Sequence, residues 1–507
     1  MSGPQYILAH DLGTTGNKAT LFDVVSSSVV ATASETYQTT YPRPNWAEQN
    51  PAEWRQAMLG CTRRLIDQLP VSPAHIAAIS FSGHMQGALM VDREGVPLRP
   101  AIIWADQRAI HAADSMRQIC GEESVYQLTG HRISPAYTAA KVLWIKENQP
   151  DVYRHAYKVL QPKDYLAYLL TGVFATDYSD ASGTQVFDLV KRCWSIEMMK
   201  AVGIDTGIFP EAHPSATIIG RVTEDMAKAT GLLSGTPVVI GGGDGACATV
   251  GAGSVHEGDA YTYAGSSAWI ALTTRQPVFD PLQRTFNIAH LDPQLYFPIG
   301  TMQAAGGSYD WLARLLRSEK GGEADYASLD ALAATAPAGA RGVLFLPYLL
   351  GERSPYWNPL ARAAFIGLAM SHGQAEMSRA VLEGVAFNLR LILDALRAQG
   401  VQVASMRLIG GGARSSVWRQ ILADVYQLPI LLPELPAEAT ALGAVIAGGV
   451  AVGIFPDYSV AKELIPAAQG EQPDSANVER YNSLYPLFQQ SYRALEPIYE
   501  QLAILAE

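Results

Sequence analysis

The residues best suited to chemistry in this chain stand beside glycines. Asp244 follows Gly241, Gly242 and Gly243 and comes after a β-branched run from Val238 to Ile240. An acid on a glycine loop at a strand's C-terminal end is placed to meet a ligand in an α/β crevice. Such a carboxylate can take a proton from a substrate hydroxyl; the plainer alternative is an acid that only caps the next helix. Gly241, Gly243 and Ala246 also satisfy a loose G-x-G-x-x-A spacing. An Asp inside that loop would repel a pyrophosphate, and no ribose-binding acid is evident about twenty residues on.

A second acid, Asp11, precedes the turn Gly13-Thr14-Thr15-Gly16, with Lys18 nearby. Backbone amides, two hydroxyls and an ammonium suit phosphate oxygens, and Asp11 could hold Mg²⁺ directly or through water. The alternative is an ordinary surface hairpin; the Walker spacing is absent. His84, Met85 and Gln86 stand between Gly83 and Gly87. Gln and His suit sugar hydroxyls, although a lone His serves equally as a satisfied structural residue. Asp106 and Arg108 either pair with each other or bind a polyol. Gly410, Gly411, Gly412 and Ala413 either let a flat ring lie against the backbone or form a tight strand-to-helix turn.

These groups need elements to hold them. Tyr6 to Ala9, the glycine turn and Asn17 to Phe22 read as a hairpin. A helix opens at Asn50-Pro51 and runs to Leu69. The strand Ile76 to Phe81 and a second, Ala88 to Val91, flank the His84 loop as a β-turn-β unit. Tyr137 to Asn148 reads as a helix, and Pro210 to Gly220 as a linker or irregular crossing. A second hairpin, Ala260 to Tyr263 and Ala268 to Thr273, carries Gly265, Ser266 and Ser267 at its turn, so each half begins alike. Residues 318 to 341 read as an exposed helix with loops, and Pro347 to Leu360 as an extended loop. Glu376 to Ala398 is the clearest helix, with Met377, Val381, Val385 and Ile392 on one face. After Leu408-Ile409 and the triple glycine, Ser415 or Ser416 caps a helix from Val417 to Tyr426.

A chain of 507 residues exceeds one ordinary core, so two domains are expected. A net charge of -11 argues against general nucleic-acid binding or attraction to an anionic membrane. The four cysteines form no C-x-x-C pair and read as reduced thiols of a cytoplasmic protein. The N-terminus lacks a signal-peptide pattern, and the apolar run Gly443 to Phe455 is too short and glycine-rich to span a bilayer.

Together these features resemble the FGGY carbohydrate kinases of the actin and hexokinase superfamily. Ala363-Ala364-Phe365-Ile366-Gly367-Leu368, Glu376-Met377 and Ala380-Val381-Leu382-Glu383 fit that family's C-terminal signature. Thr138, Lys141, Val142, Trp144, Ile145, Glu147 and Asn148 fit the N-terminal one, with Ala136 departing at its first position. The resemblance implies an α/β fold of two ribonuclease H-like domains, 1–253 and 254–507, each a mixed sheet flanked by helices. ATP and sugar would meet in the cleft between them. By the same resemblance Asp244 is the base and Asp11 organises Mg²⁺. Gly13, Thr14 and Thr15 would hold phosphates with Gly265, Ser266 and Ser267. Gly411, Gly412 and Ala413 would line the adenosine site, joined by Ser416.

Within the family the chain looks most like the kinases of D-xylulose, with two departures. Those kinases read Q-M-H-G in the sugar loop, whereas here His84 and Gln86 are exchanged about Met85. Their base is followed by Asn, whereas Gly245 follows Asp244. The expected activity is therefore phosphorylation of a ketopentose, D-xylulose first, with another ketose or polyol as the alternative. A catalytically silent sugar or nucleotide sensor is a further alternative. The partners are a sugar and ATP, with no nucleic acid or membrane; a homodimer is what the family suggests.

Overall fold

In a computed structural model of the chain, residues 5–68, 72–316, 326–434 and 438–505 are described. Two seven-stranded mixed sheets dominate them. The first runs Ile218–Arg221, Pro237–Val239, Ile76–Gly83, Tyr6–Leu12, Gly16–Asp23 and Ser28–Thr36, with Gly242–Gly243 also paired to Ile76–Gly83. Tyr6–Leu12 is antiparallel to Gly16–Asp23 and parallel to Ile76–Gly83. Six of its seven residues are buried, as a strand covered on both faces requires. The second sheet runs Phe286–Ala289, Tyr296–Met302, Ala268–Leu272, Ala260–Ala264, Met406–Ile409, Ile430–Pro433 and Ala467–Gln469. Its hairpin, Ala260–Ala264 with Ala268–Leu272, also lies beside a parallel strand, Met406–Ile409. The two halves thus repeat a hairpin followed by a parallel neighbour, as their glycine turns suggested.

The helix Gln374–Arg397 is buried along most of its length and organises the core behind the second sheet. Another helix, Ala439–Ala451, belongs late in the chain yet packs on the first sheet and on the helix Asp244–Gly251. Its glycines make this possible: a Cβ at Gly443 would lie 2.1 Å from the Cys247 carbonyl oxygen. The run read as too glycine-rich for a membrane is this interior helix. No helix among the described residues is long and apolar enough to cross a membrane. Ile7, Ala9, Cys247, Tyr261, Ile409, Leu442 and Val445 share one buried cluster, so apolar packing joins the halves.

Several local expectations need correction. Leu89–Val91 pairs with Lys158–Leu160, not with the strand before the His84 loop, so that unit is not a hairpin. Pro210 to Gly220 is no plain linker: it includes Glu211–His213 and the start of Ile218–Arg221, an edge strand of the first sheet. The first helix spans Pro51–Gln68, and Leu69 lies outside the described residues. Of the segment 318 to 341, residues 318–325 lie outside them as well; a helix, Tyr326–Thr335, follows.

Candidate active site

Three adjacent strands of the first sheet end at one level. Asp11 pairs in register with Ser82, and Ser82 with Gly242. The ends of these strands therefore place Asp11, the His84 loop and Asp244 side by side. This is the crevice beyond the carboxyl ends of parallel strands where α/β proteins bind ligands. Gly241 makes the turn possible: its φ is 67°, and a Cβ there would lie 1.9 Å from the Phe81 carbonyl oxygen.

Asp244 is the first residue of its helix, and Gly243 takes the cap position. Its Oδ1 accepts from the Gly245 amide at 2.7 Å, so the side chain does not cap the helix in the ordinary way. The carboxyl is pushed up to about 7, first by burial and then by the charge of Asp11, against the Gly245 N–H. A carboxylate tuned to neutrality is suited to general base work.

Asp11 Oδ2 accepts from the Thr440 hydroxyl at 2.6 Å, while its Oδ1 is buried without a hydrogen-bond partner. Burial raises its pKa, countered by Thr440, Ser82 and Lys18. Lys18 is bound to Glu438 at 2.5 Å, so both ends of the first hairpin's turn are tied to the start of the helix Ala439–Ala451. Gly13, Thr14 and Thr15 form that turn; the Thr14 hydroxyl accepts from Trp104 Nε1 at 3.0 Å and Thr15 is exposed.

The His84 loop is held stiffly. Gln86 has a φ of 63°, uncommon for a residue with a side chain. The Lys141 ammonium donates to its carbonyl at 2.8 Å and to that of Ala136. Gln161 brackets the Gly87 peptide, accepting from its N–H at 2.8 Å and donating to its carbonyl at 3.1 Å. Met85 packs on Gly243, which brings this loop against the residue before Asp244. His84 is buried edge-on to Trp54, and neither ring nitrogen has a hydrogen-bond partner. Burial and then Lys141 lower it to about 3, so it is neutral.

Asp106 and Arg108 are a different matter. Both are buried and pair with each other, Arg108 Nη2 to Asp106 Oδ2 at 2.7 Å. Asp106 Oδ2 also accepts from the Ala47 amide, Oδ1 accepts from Arg108 N, and Arg108 Nη1 reaches Glu48 at 2.7 Å. The acceptor sites of Asp106 are thus filled within the protein. Of the two readings offered by the sequence, the geometry records the internal pair.

On the other side of Asp244 a cleft of about 560 Å³ opens. Asp244, Thr440, Tyr263, Trp269, Gly411, Ala413 and Arg414 are among its lining residues. His84, Met85, Gln86, Asp106 and Arg108 do not line it. Tyr263 and Trp269 stack at 4.0 Å. Gly411–Arg414 is a single helical turn, and Ser415, not Ser416, caps the following helix by accepting from Trp418 N. Gly265, Ser266 and Ser267 turn between paired strands, where the Gly265 and Ser266 carbonyls accept from the amides of Gly306 and Gly307.

Comparison with known proteins decides the family. The descriptions "FGGY family of carbohydrate kinases, N-terminal domain" and "C-terminal domain" match residues 6–251 and 260–452. The chain belongs to the FGGY family of carbohydrate kinases. It is 35% identical to the xylulose kinase of Escherichia coli (strain K12) over 490 residues, 96% of this chain and 99% of that relative. The gluconate kinase structure from Lactobacillus acidophilus superposes with a TM-score of 0.93 at 28% identity, covering 98% and 99% of the two chains. The xylulose kinase structure from Rhodospirillum rubrum gives 0.91 at 32%, covering 98% and 100%. As an FGGY kinase this chain is an ATP-dependent sugar kinase with the fold of that family.

Sequence reasoning missed Thr440, Glu438, Tyr263, Trp269 and Arg414. Tyr263 and Trp269 flank the second glycine turn, and a lone hydroxyl in the first turn of an otherwise apolar, glycine-rich helix was a signal at Thr440.

Proposed function

We propose that this kinase transfers the γ-phosphoryl group of ATP to D-xylulose, giving D-xylulose 5-phosphate and ADP, with Asp244 as general base. The observation that carries the reading is the placement of Asp244, on a glycine turn at the edge of the cleft with Met85 of the His84 loop packed against it, its carboxyl raised by burial to about 7. Ionised Asp244 takes the hydroxyl proton as the oxygen attacks the γ-phosphorus and ADP leaves. Gly13 to Thr15 and Gly265 to Ser267 offer turns for phosphates, and the helical turn at Gly411 to Ala413, with open space beside Gly411, a surface for adenine. His84 and Gln86 flank Met85 on the sugar side. Asp106 and Arg108 enter the reading as the braces of that loop's surroundings.

The residues fit Mg²⁺. Asp11 Oδ1 is buried and unpartnered, and magnesium takes one or two carboxylates with water and phosphate completing its shell. Asp11 would hold it, and bound Mg²⁺ neutralises charge on the phosphate oxygens. The enzyme is taken as cytoplasmic and, by family resemblance, homodimeric.

The named xylulose kinases among its relatives support the ketopentose. A six-carbon aldonate is the second reading, favoured by the 0.93 likeness to a gluconate kinase. The test is kcat/KM for D-xylulose, D-ribulose, L-xylulose, the pentitols, glycerol and D-gluconate at saturating Mg·ATP. D-Xylulose is expected to lead. Gluconate ahead of every five-carbon substrate would establish the second reading, and glycerol ahead of all would remove both.

A further inference from the structure

Below the crevice four ionisable side chains, Lys163, Asp164, Asp177 and Asp180, meet in the interior, each at most 1% exposed. Lys163 Nζ lies 2.7 Å from Asp164 Oδ1, 2.9 Å from Asp177 Oδ1 and 3.1 Å from Asp180 Oδ2. Taking such a group out of water is costly, and apolar residues of similar volume would serve stability as well or better. Its connections suggest another use.

Asp177 is the branch point. Its Oδ2 accepts from the Ser179 hydroxyl at 2.5 Å and from the Ser215 hydroxyl at 2.8 Å. The Ser179 oxygen in turn accepts from the Gly243 amide at 2.9 Å, and the Ser215 carbonyl accepts from the Gly241 amide at 3.1 Å. One carboxylate therefore anchors the backbone on both sides of Gly242. The loop is closely packed there: a Cβ on Gly242 would lie 2.3 Å from Leu291 Cδ2 and 3.1 Å from Ser179 Oγ. Lys163 also supports the neighbouring strand end: a Cβ on Gly83 would lie 2.9 Å from its own Cβ. The same lysine thus underlies both the sugar loop's origin and the base's loop.

We propose that Lys163, Asp177 and Ser179 form a positioning relay that fixes the Gly243–Asp244 backbone and so aims the Asp244 carboxylate at the substrate hydroxyl. The inference rests on Asp244 being the base. The relay touches neither substrate, so its loss acts through alignment, where a displacement near 1 Å can cost about a hundredfold in rate.

The test is a double-mutant cycle on the full-length enzyme, with kcat, both KM values and Tm measured for Ser179→Ala, Asp244→Asn and the pair. Ser179→Ala removes one oxygen atom and leaves the charged cluster intact. It is expected to lower kcat roughly tenfold or more in the native background, with both KM values within about twofold. In the Asp244→Asn background it is expected to change kcat less than about twofold, because there is no base left to aim. Ser215→Ala, which loosens the other anchor, is expected to show the same pattern with a smaller loss and serves if Ser179→Ala folds poorly. Unchanged kcat in Ser179→Ala, or an equal proportional loss in both backgrounds, overturns the relay while leaving the base in place. Near-normal turnover of Asp244→Asn alone would remove the base, and the relay with it.

Discussion

Thr440 donates its hydroxyl to Asp11 Oδ2 at 2.6 Å, although 429 positions separate them in the chain. Asp11 lies next to the end of the strand Tyr6–Leu12 of one sheet, and Thr440 lies in the first turn of a helix that follows the last parallel strand of the other. The bond ties one carboxylate oxygen to the helix and leaves the other buried without a hydrogen-bond partner. Removing it leaves a buried carboxylate with fewer donors, which favours its protonated form.

Thr440→Val is therefore expected to weaken Mg·ATP use roughly tenfold, about the worth of one hydrogen bond to a charged group. Sugar binding without nucleotide should be unaffected. The KM for Mg·ATP at saturating sugar is the measurement, and an unchanged value would separate Thr440 from the metal site.

The pH dependence follows from Asp244. As the proposed base, its carboxyl, raised to about 7 by burial, can accept the proton only when ionised. Accordingly kcat/KM should rise about tenfold per unit at pH values below 7 and level off above it. A profile flat from pH 5 to 8 would contradict this titration.

The same shift has a cost in stability. Unfolded, Asp244 ionises near 3.8; folded, near 7. The folded state thus holds the proton more tightly, and stability falls as pH rises between those values. Asp244→Asn should raise Tm at pH 8, by about 2–4 °C for each kcal/mol relieved, and leave it unchanged near pH 3. Scanning calorimetry at the two pH values decides it; a lower Tm at pH 8 would mean that the ionised carboxylate is stabilised.

Arg108 separates structure from recognition. It pairs with Asp106 and Glu48 and lies 3.7 Å over the Trp46 ring. Arg108→Met leaves the buried Asp106 carboxylate without its ion-pair partner, while Glu48 keeps Arg99, and is expected to cost about 3–5 kcal/mol of stability. Sugar KM of the folded enzyme should stay within about twofold. A much higher KM with an unchanged Tm would restore a role in binding polyol.

How much of this was legible in the sequence depended on distance along the chain. Both hairpins and the helix Gln374–Arg397 show in alternation, glycine turns and a single apolar face, all of them local signals. Asp244 stood out as an acid between glycines after a strand, and Asp11 as an acid just before a glycine turn, although the sequence left each a plainer structural use. Leu89–Val91 pairs with a strand almost seventy positions away, so nothing near it in sequence disclosed its partner. Glu211–His213 is only three residues long, too short for alternation to be counted. The ties from Thr440 to Asp11 and from Glu438 to Lys18 cross the whole chain. They arise because small residues let the helix Ala439–Ala451 lie against the first sheet, a packing fact that no local pattern announces.

The most direct test of the whole account is turnover of Asp244→Asn with D-xylulose and Mg·ATP, measured beside calorimetric binding of each. The account predicts that kcat falls by roughly two to four powers of ten while both ligands still bind, since a positioned base is worth about that much. Turnover close to that of the unaltered enzyme would contradict it.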